Sequence, residues 1–246
     1  MNLSDLYDIA NYVTDYGMLF NKDCLDVLKC IDDETIDLVV TDCPYHIISG
    51  GCTNNAVKIG QYTEENNNEL FDCTKQGKLF KHNDIEFKDW LPDIYRVLKQ
   101  DTHCYIMINP RNLKELQQEA ENVGFEFQNL IVWNKGNTLP NRYYLNSYEL
   151  ILMLRKGKAK NINNMGTKNI LDVPNIKKNK LHPTEKPVDL MKILIENSSN
   201  ENDIVLEPFM GVGATCLACE ETKRRYIGIE LDENYFNIAK NRLENL

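Results

Sequence analysis

The feature that most constrains this chain is the alternation of short apolar runs with stretches of helical period, the pattern of an α/β protein built on a mostly parallel sheet. Apolar runs at 18–20, 37–41, 103–109, 125–133, 148–155, 204–206 and 226–230 predict seven strands. Between them, the segment KDWLPDIYRVLK at 88–99 puts Leu91, Ile94, Tyr95 and Leu98 on one face, and 187–197 and 233–243 repeat that spacing. A helix is also expected over 113–122, with Asn112 as its cap and Gly124 as its stop, and Asp232 is expected to cap the last helix. Two segments interrupt the rhythm. Residues 49–83 are polar and too long for a simple crossover, and read as a mobile loop that orders on substrate binding; 156–180 is rich in Lys and Asn and reads as an inserted loop region. The expectation is a single domain over 1–246 with a seven-stranded, doubly wound sheet.

Composition removes several classes. The apolar stretches are far shorter than the roughly 20 residues of a membrane helix, and the polar, acidic N-terminus does not resemble a secretory signal, so a cytoplasmic protein with no membrane partner is expected. Eight cysteines lack framework spacing and are expected as thiols; the pair Cys216 and Cys219 falls in a helical pattern with no second pair, and no metal is expected there. The net charge of −9 is uneven. Residues 134–186 carry 11 Lys or Arg against 3 Asp or Glu, whereas the rest of the chain carries 17 against 34. That basic segment, including Lys135, Arg142, Lys156, Lys158, Lys177 and Lys178, is a candidate phosphate-facing surface. A solvated loop rich in Lys and Asn is the plain alternative.

Three segments carry chemistry. Thr41-Asp42-Cys43-Pro44-Tyr45 follows the strand IDLVVT, where a parallel sheet presents its carboxyl ends to ligands. An exocyclic amine on a nucleobase is a poor nucleophile because its lone pair is delocalised into the ring. A carboxylate and a backbone carbonyl accepting its two N–H bonds localise that pair and aim it at an electrophile. Asp42 and the carbonyl of Cys43 suit those acceptor roles, Pro44 stiffens the turn, and Tyr45 offers a stacking face for a base drawn out of a helix. The second segment is 203–215, where a strand runs into Glu207-Pro208-Phe209-Met210-Gly211-Val212-Gly213 and then a helix start at Thr215. Glycines there let backbone approach a cofactor closely, and Cys216 stands where a dinucleotide fingerprint would have its third glycine. Glu230, at the end of YIGIE, is placed to accept ribose hydroxyls. The third segment, Leu181-His-Pro-Thr-Glu-Lys-Pro187, is an extended loop whose last proline suits the first position of a helix; His182 reads as structural.

Together these segments resemble the amino-methyltransferases of the DNA N6-adenine and N4-cytosine family, whose marks are a (D/N/S)-P-P-Y tetrapeptide and an F-x-G-x-G loop. Here they stand as DCPY and FMGVG, over most of the chain, in the order of the family's circularly permuted beta class. The resemblance implies a Rossmann-like fold, S-adenosyl-L-methionine as cofactor and DNA as substrate, methylated at adenine N6 because Asp rather than Ser stands at position 42. It implies that Asp42, Cys43, Pro44 and Tyr45 form the catalytic motif. Asp23 and Cys24, in a counterpart of the family's G-D-C element, would meet the cofactor adenine. Glu207, Pro208, Phe209, Gly211, Gly213 and Thr215 would line its methionine and ribose, Glu230 its ribose diol, and Thr184 and Lys186 its carboxylate. The basic stretch at about 137–180 becomes a short target-recognition insertion, compatible with a homodimer; a restriction endonuclease partner is compatible but not indicated. The chain departs from the pattern at Cys43, where the family has Pro, and at Lys22, where it has Gly.

Alternatives remain open at this level: cytosine N4 or RNA as acceptor, a glutamine-N5 protein methyltransferase, whose motif order is the reverse of this one, and a nicotinamide dehydrogenase or an inactive DNA-binding relative.

Overall fold

Ile36–Thr41 is apolar at four of its six positions, Leu38 to Val40 in an unbroken run, and such a run is stable only when covered on both faces. In the computed structural model, which describes residues 3–44, 85–139, 144–176, 180–182 and 184–246, it is the buried centre of the sheet. The elements in chain order are α1 (Leu3–Ile9), β1 (Tyr12–Val13), β2 (Gly17–Phe20), α2 (Cys24–Cys30), β3 (Ile36–Thr41), α3 (Phe87–Val97), β4 (Leu98–Ile108) and α4 (Leu113–Val123). They continue as β5 (Glu126–Leu139), β6 (Asn146–Lys156), β7 (Ile170–Asp172), α5 (Val188–Ser198), β8 (Ile204–Glu207), α6 (Ala214–Glu221), β9 (Arg225–Ile229) and α7 (Glu233–Glu244). The chain divides into two units, residues 1–43 with 87–246, and residues 44–86. Of the second, only Pro44, Ile85 and Glu86 are described, so the expected loop at 49–83 lies outside the described residues.

Among the described residues the sheet has nine strands in the order β1-β2-β9-β8-β3-β4-β6-β5-β7. All seven expected strands are present, and the two additions, β1 and β7, are short edge strands that carry too few residues for a periodic signal. From β2 to β4 every pairing is parallel, while β6 runs antiparallel between β4 and β5. The chain leaves β8 toward β9 on one side and β3 toward β4 on the other, so the β8–β3 junction is the switch point at which α/β sheets open a crevice for ligands. Alternation sorts β3: Leu38 and Val40 join a core with Leu190, Leu194 and Leu217 of α5 and α6, and Val39 is buried on the opposite face. Helices α5, α6 and α7 pack in sequence, as do α2, α3 and α4.

Element ends follow local chemistry with two exceptions. Asp232 caps α7 by accepting from the N–H groups of Asn234 and Tyr235, and Gly124 ends α4 at φ +112°. Asn112, expected to cap α4, makes no side-chain capping bond. Its backbone is held instead by Asn109 Oδ1, which accepts from the N–H groups of Arg111 and Asn112 at 3.0 and 2.9 Å, so the Asx turn belongs three residues upstream. Pro187 immediately precedes α5 rather than opening it. No helix of the described residues is long and apolar enough to cross a membrane, and Cys24, Cys30, Cys43, Cys104, Cys216 and Cys219 are free thiols.

The described lysines of the basic segment do not form one surface. Because β6 is antiparallel, it carries Glu149 to the carboxyl edge of the sheet beside the end of β4, and Lys156 back to the amino edge opposite Thr102. There Lys156 is buried, and its ammonium donates to the carbonyls of Tyr95 and Leu98 at 2.8 and 2.7 Å, at the C-terminus of α3 where the helix dipole favours a cation. Its expected DNA-facing role is therefore corrected: the side chain is a helix stop, unavailable to phosphate. Lys158 is exposed but sits at the same amino edge, with its N–H on Asp101 Oδ1 at 2.7 Å, away from the carboxyl ends of β3 and β8. Replacing Lys156 with Ala should strand two buried carbonyls and lower unfolding stability by about 2–4 kcal/mol in urea titrations.

Candidate active site

The site begins with two threonines and a glutamate. β3 and β8 pair in parallel through Val39 and Leu206, which sets Thr41 and Glu207 side by side at the switch point. Thr41 Oγ1 donates to Glu207 Oε1 at 2.6 Å, Thr215 Oγ1 in the first turn of α6 donates to Oε2 at 2.8 Å, and the Phe209 N–H donates to Oε1 at 3.2 Å. Burial pushes the Glu207 carboxyl up to about 8 against these three donors.

The turn after β8 is tied to β9. The Met210 N–H donates to the Ile229 carbonyl at 2.9 Å, and the Gly211 N–H to Glu230 Oε2 at 2.9 Å. The other oxygen of Glu230 accepts from the Asp232 N–H at 2.8 Å, so two backbone groups orient this carboxylate, whose pKa burial raises. Gly211 and Gly213 adopt φ of +52° and +81°, a region that side chains disfavour. Space over Gly211 is open, with nothing within 4 Å of where a Cβ would stand, whereas at Gly213 a Cβ would meet Ala239 of α7 at 3.0 Å. Pro208 is buried, and the Phe209 ring meets Trp90 of α3 edge-to-face at 5.3 Å between centroids.

The β2–α2 turn adjoins the β9–α7 turn through Asn21, whose amide donates to the carbonyls of Glu230 and Leu231 at 2.9 and 3.2 Å. Asn21 escaped sequence reasoning, which looked for glycine at the next position. Asp23 is exposed and uses Oδ1 to cap α2 through the Leu25 N–H at 2.9 Å. Cys24 is buried beneath it, with its thiol pushed up to about 12 by burial and the Asp23 charge. The Lys22 ammonium turns away to the Ile9 carbonyl at 3.5 Å.

At the end of β3 a chain of alternating charges converges. Lys186 Nζ lies 2.5 Å from Asp42 Oδ2 and 3.5 Å from Glu149 Oε2, and Glu149 Oε1 lies 3.0 Å from Lys135 Nζ. Both lysines are buried and both carboxylates partly exposed. Burial and Glu149 raise the Asp42 pKa against the pull of Lys186; at Glu149 burial raises it too, but the two ammonium groups outweigh burial and the net shift is downward. Lys186 is thus placed at Asp42. Thr184, expected beside it, is exposed and bonded to His182 through Oγ1 at 3.0 Å, while its carbonyl accepts from Lys186 at 3.1 Å. His182 packs edge-to-face on Tyr235, and burial, Lys186 and Lys180 push its pKa down to about 4, so it is neutral near pH 7. Cys43 turns inward, its Sγ donating to the Met107 carbonyl at 3.7 Å, and burial together with Asp42 and Glu207 holds its thiol well above the usual range. Tyr45, Arg142, Lys177 and Lys178 lie outside the described residues.

A glycine turn, an oriented strand-end glutamate and an acidic strand end, all at one switch point, invite comparison with known proteins. The model of the DNA methylase family of N6 and N4 methyltransferases matches residues 36–241. This chain belongs to that family. The methylase is 30% identical over 246 residues to the type II methyltransferase M2.DpnII of Streptococcus pneumoniae, covering 92% of this chain and 89% of that one. Among solved structures it is similar to the M1.HpyAVI–SAM complex, with 26% identity and a TM-score of 0.67 over 92% of this chain and 99% of that one. The cytosine-N4-specific PvuII DNA methyltransferase, 17% identical, shares the fold with a TM-score of 0.71 over 95% and 88% of the two chains.

Within the methylase, Lys135 is corrected as Lys156 was. Its side chain is buried, paired with Glu149 and 6.0 Å from the Trp133 ring centroid, so it neutralises a carboxylate of the site instead of facing phosphate. Glu149 was missed altogether. Its only sequence signal is an acidic residue entering an otherwise apolar strand, in a segment otherwise dominated by lysine.

The elevated carboxyl of Glu207 has a definite pH consequence. Folding raises its pKa from 4.5 to about 8, so the folded state holds an extra proton in that window and stability falls as pH rises through it. The difference in unfolding free energy, wild type minus Glu207→Gln, should fall by on the order of 3 kcal/mol between pH 5 and 8.5 in paired denaturation titrations.

Proposed function

We propose that this DNA methylase transfers a methyl group from S-adenosylmethionine to the exocyclic N6 of adenine in DNA, with Asp42 as acceptor for the target amine. The observation that carries this reading is the Asp42 carboxylate at the carboxyl end of β3, beside the Glu207 turn at the switch point, in a motif with Asp where cytosine-N4 enzymes often carry Ser. The fold alone favours neither base, since it is shared with a cytosine-N4-specific enzyme.

The residues around the β8 and β9 turns fit the cofactor. The open space over Gly211 lets a ligand approach backbone, the Glu230 carboxylate is already oriented by two N–H groups and keeps lone pairs for ribose hydroxyls, and buried Glu207, protonated near pH 7 in the free protein, is a hydrogen-bonding partner that becomes a counter-charge once a bound ammonium favours its ionised form. Phe209 offers an apolar wall, Thr215 steadies Glu207, and exposed Asp23 has its second carboxylate oxygen for the adenine end. When bound, the cofactor supplies a methyl group made electrophilic by its sulfonium.

The protein's part is to make a weak nucleophile attack. An adenine drawn out of the duplex stacks on the ring of Tyr45. Its two N6–H bonds are accepted by the Asp42 carboxylate and the Cys43 carbonyl, which localises the nitrogen lone pair and fixes its line of approach. Position 43 needs only that carbonyl, which explains how Cys can stand in for Pro. Its thiol, buried and held protonated, is not a nucleophile. The methylated nitrogen is acidic enough to release its extra proton to water.

Asp42→Ala should reduce methyl transfer at least 100-fold while leaving the calorimetric Kd for S-adenosylmethionine within about threefold of wild type. Nucleoside analysis of labelled unmethylated DNA should give N6-methyladenine; N4-methylcytosine as the product would overturn the choice of base.

A further inference from the structure

The alternating chain Lys135–Glu149–Lys186–Asp42 leaves an acceptor that catalysis needs already occupied. In the structure the Lys186 ammonium sits on Asp42, the carboxylate proposed to accept the target amine, and Glu149 stands 3.5 Å from that same ammonium. A displacement of about 1 Å along a flexible stem would carry Nζ from one carboxylate to the other. Glu149 is itself fixed: it lies on β6 in register with Trp133 of β5, and buried Lys135 holds Oε1 at 3.0 Å while Oε2 faces Lys186.

We infer that Glu149 is a positioning residue for methyl transfer: it draws the Lys186 ammonium off Asp42 when the target amine arrives, so that the carboxylate is released to the substrate and the lysine is never left as an uncompensated buried charge. This inference rests on Asp42 being the amine acceptor.

The two positions of the ammonium have matched costs. A buried ammonium deprived of its only carboxylate is strongly destabilised, so if Asp42 were the one carboxylate beside it, Lys186 would compete with the amine. A second carboxylate within reach makes the exchange nearly neutral. Lys135 balances Glu149 in turn, since two carboxylates around one ammonium would carry a net negative charge. Among the described residues, other ionisable groups border these four. Glu207 on β8 is bonded to its threonines, Lys180 feels Glu149, Lys186 and Lys135 and adds a third cation to the field of Glu149, Glu185 pairs with Arg242 at 3.0 Å, and His182 is neutral near pH 7. Glu149 also raises the Asp42 pKa, which gives the arrangement a titration signature distinct from loss of packing.

The test is Glu149→Gln, read by the pH profile of kcat/KM for DNA, whose acid limb reports the free enzyme's essential carboxylate. Expected are an acid limb displaced to lower pH by roughly one unit, a plateau lowered by about tenfold through KM because Lys186 stays on Asp42, and an unchanged Kd for S-adenosylmethionine. Glu149→Asp, which keeps the charge, should restore the limb to its wild-type position. If Glu149→Gln does not fold because Lys135 loses its partner, the neutralised pair Lys135→Met with Glu149→Gln carries the same expectation. A folded variant of either kind with an unmoved acid limb, or with activity lost only in proportion to thermal stability, overturns the inference. Methyl transfer that survives in Asp42→Ala would instead overturn the reading on which it rests, and that variant, assayed beside the others, tells the two failures apart.

Discussion

Everything at the site depends on the parallel pairing of β3 with β8. These strands are far apart in the chain and head into turns of opposite purpose, one toward the acidic tetrapeptide and one toward the glycine turn. Pairing them through Val39 and Leu206 sets Thr41 against Glu207, and a hydrogen bond of 2.6 Å locks the two strand ends together. A parallel sheet has no other place where adjacent strands send their connections in opposite directions, and that divergence opens the crevice. The buried Glu207 is expensive as an ion, which is why three donors surround it.

The same edge is completed by an element running the other way. β6 enters antiparallel between β4 and β5, and its first turn of chain brings Glu149 to the carboxyl edge while its last residue, Lys156, returns to the amino edge. One strand therefore contributes a charge to the site and a charge to the opposite end of the molecule, where it stops α3. This separation divides a stretch of sequence that reads as uniformly basic into residues of unrelated physical roles.

Much of the fold was legible because burial imposes period. IDLVVT, YIGIE and the helix faces containing Leu91 and Ile94 are each apolar in the pattern their surroundings demand, and the capping at Asp232 needs only its immediate neighbours. The candidate site was partly legible for a similar reason: DCPY and FMGVG act through backbone geometry encoded within a few residues. The cap at Asn112 failed because Asn109 offers a competing turn three residues earlier, a contest between two local bonds that the residue types do not rank. Lys135 and Lys156 were misread because a lysine's stem is long enough to take its charge to a buried partner, and the partner's position is a property of strand register.

By itself, then, the sequence determined the α/β class, seven of the strands, the order of the two motifs and the identity of the residues that end β3 and follow β8. Those are consequences of local period and short-range backbone chemistry. Only the tertiary structure decided that Lys186 would meet Asp42, that Glu149 would stand behind it, and that Lys156 would be buried beneath α3. Residues 144, 61 and 58 positions apart in the chain meet in those bonds, so the attraction between them has no trace in sequence spacing. It arises when the sheet sets its strands in register and brings each buried charge to the oxygens that satisfy it.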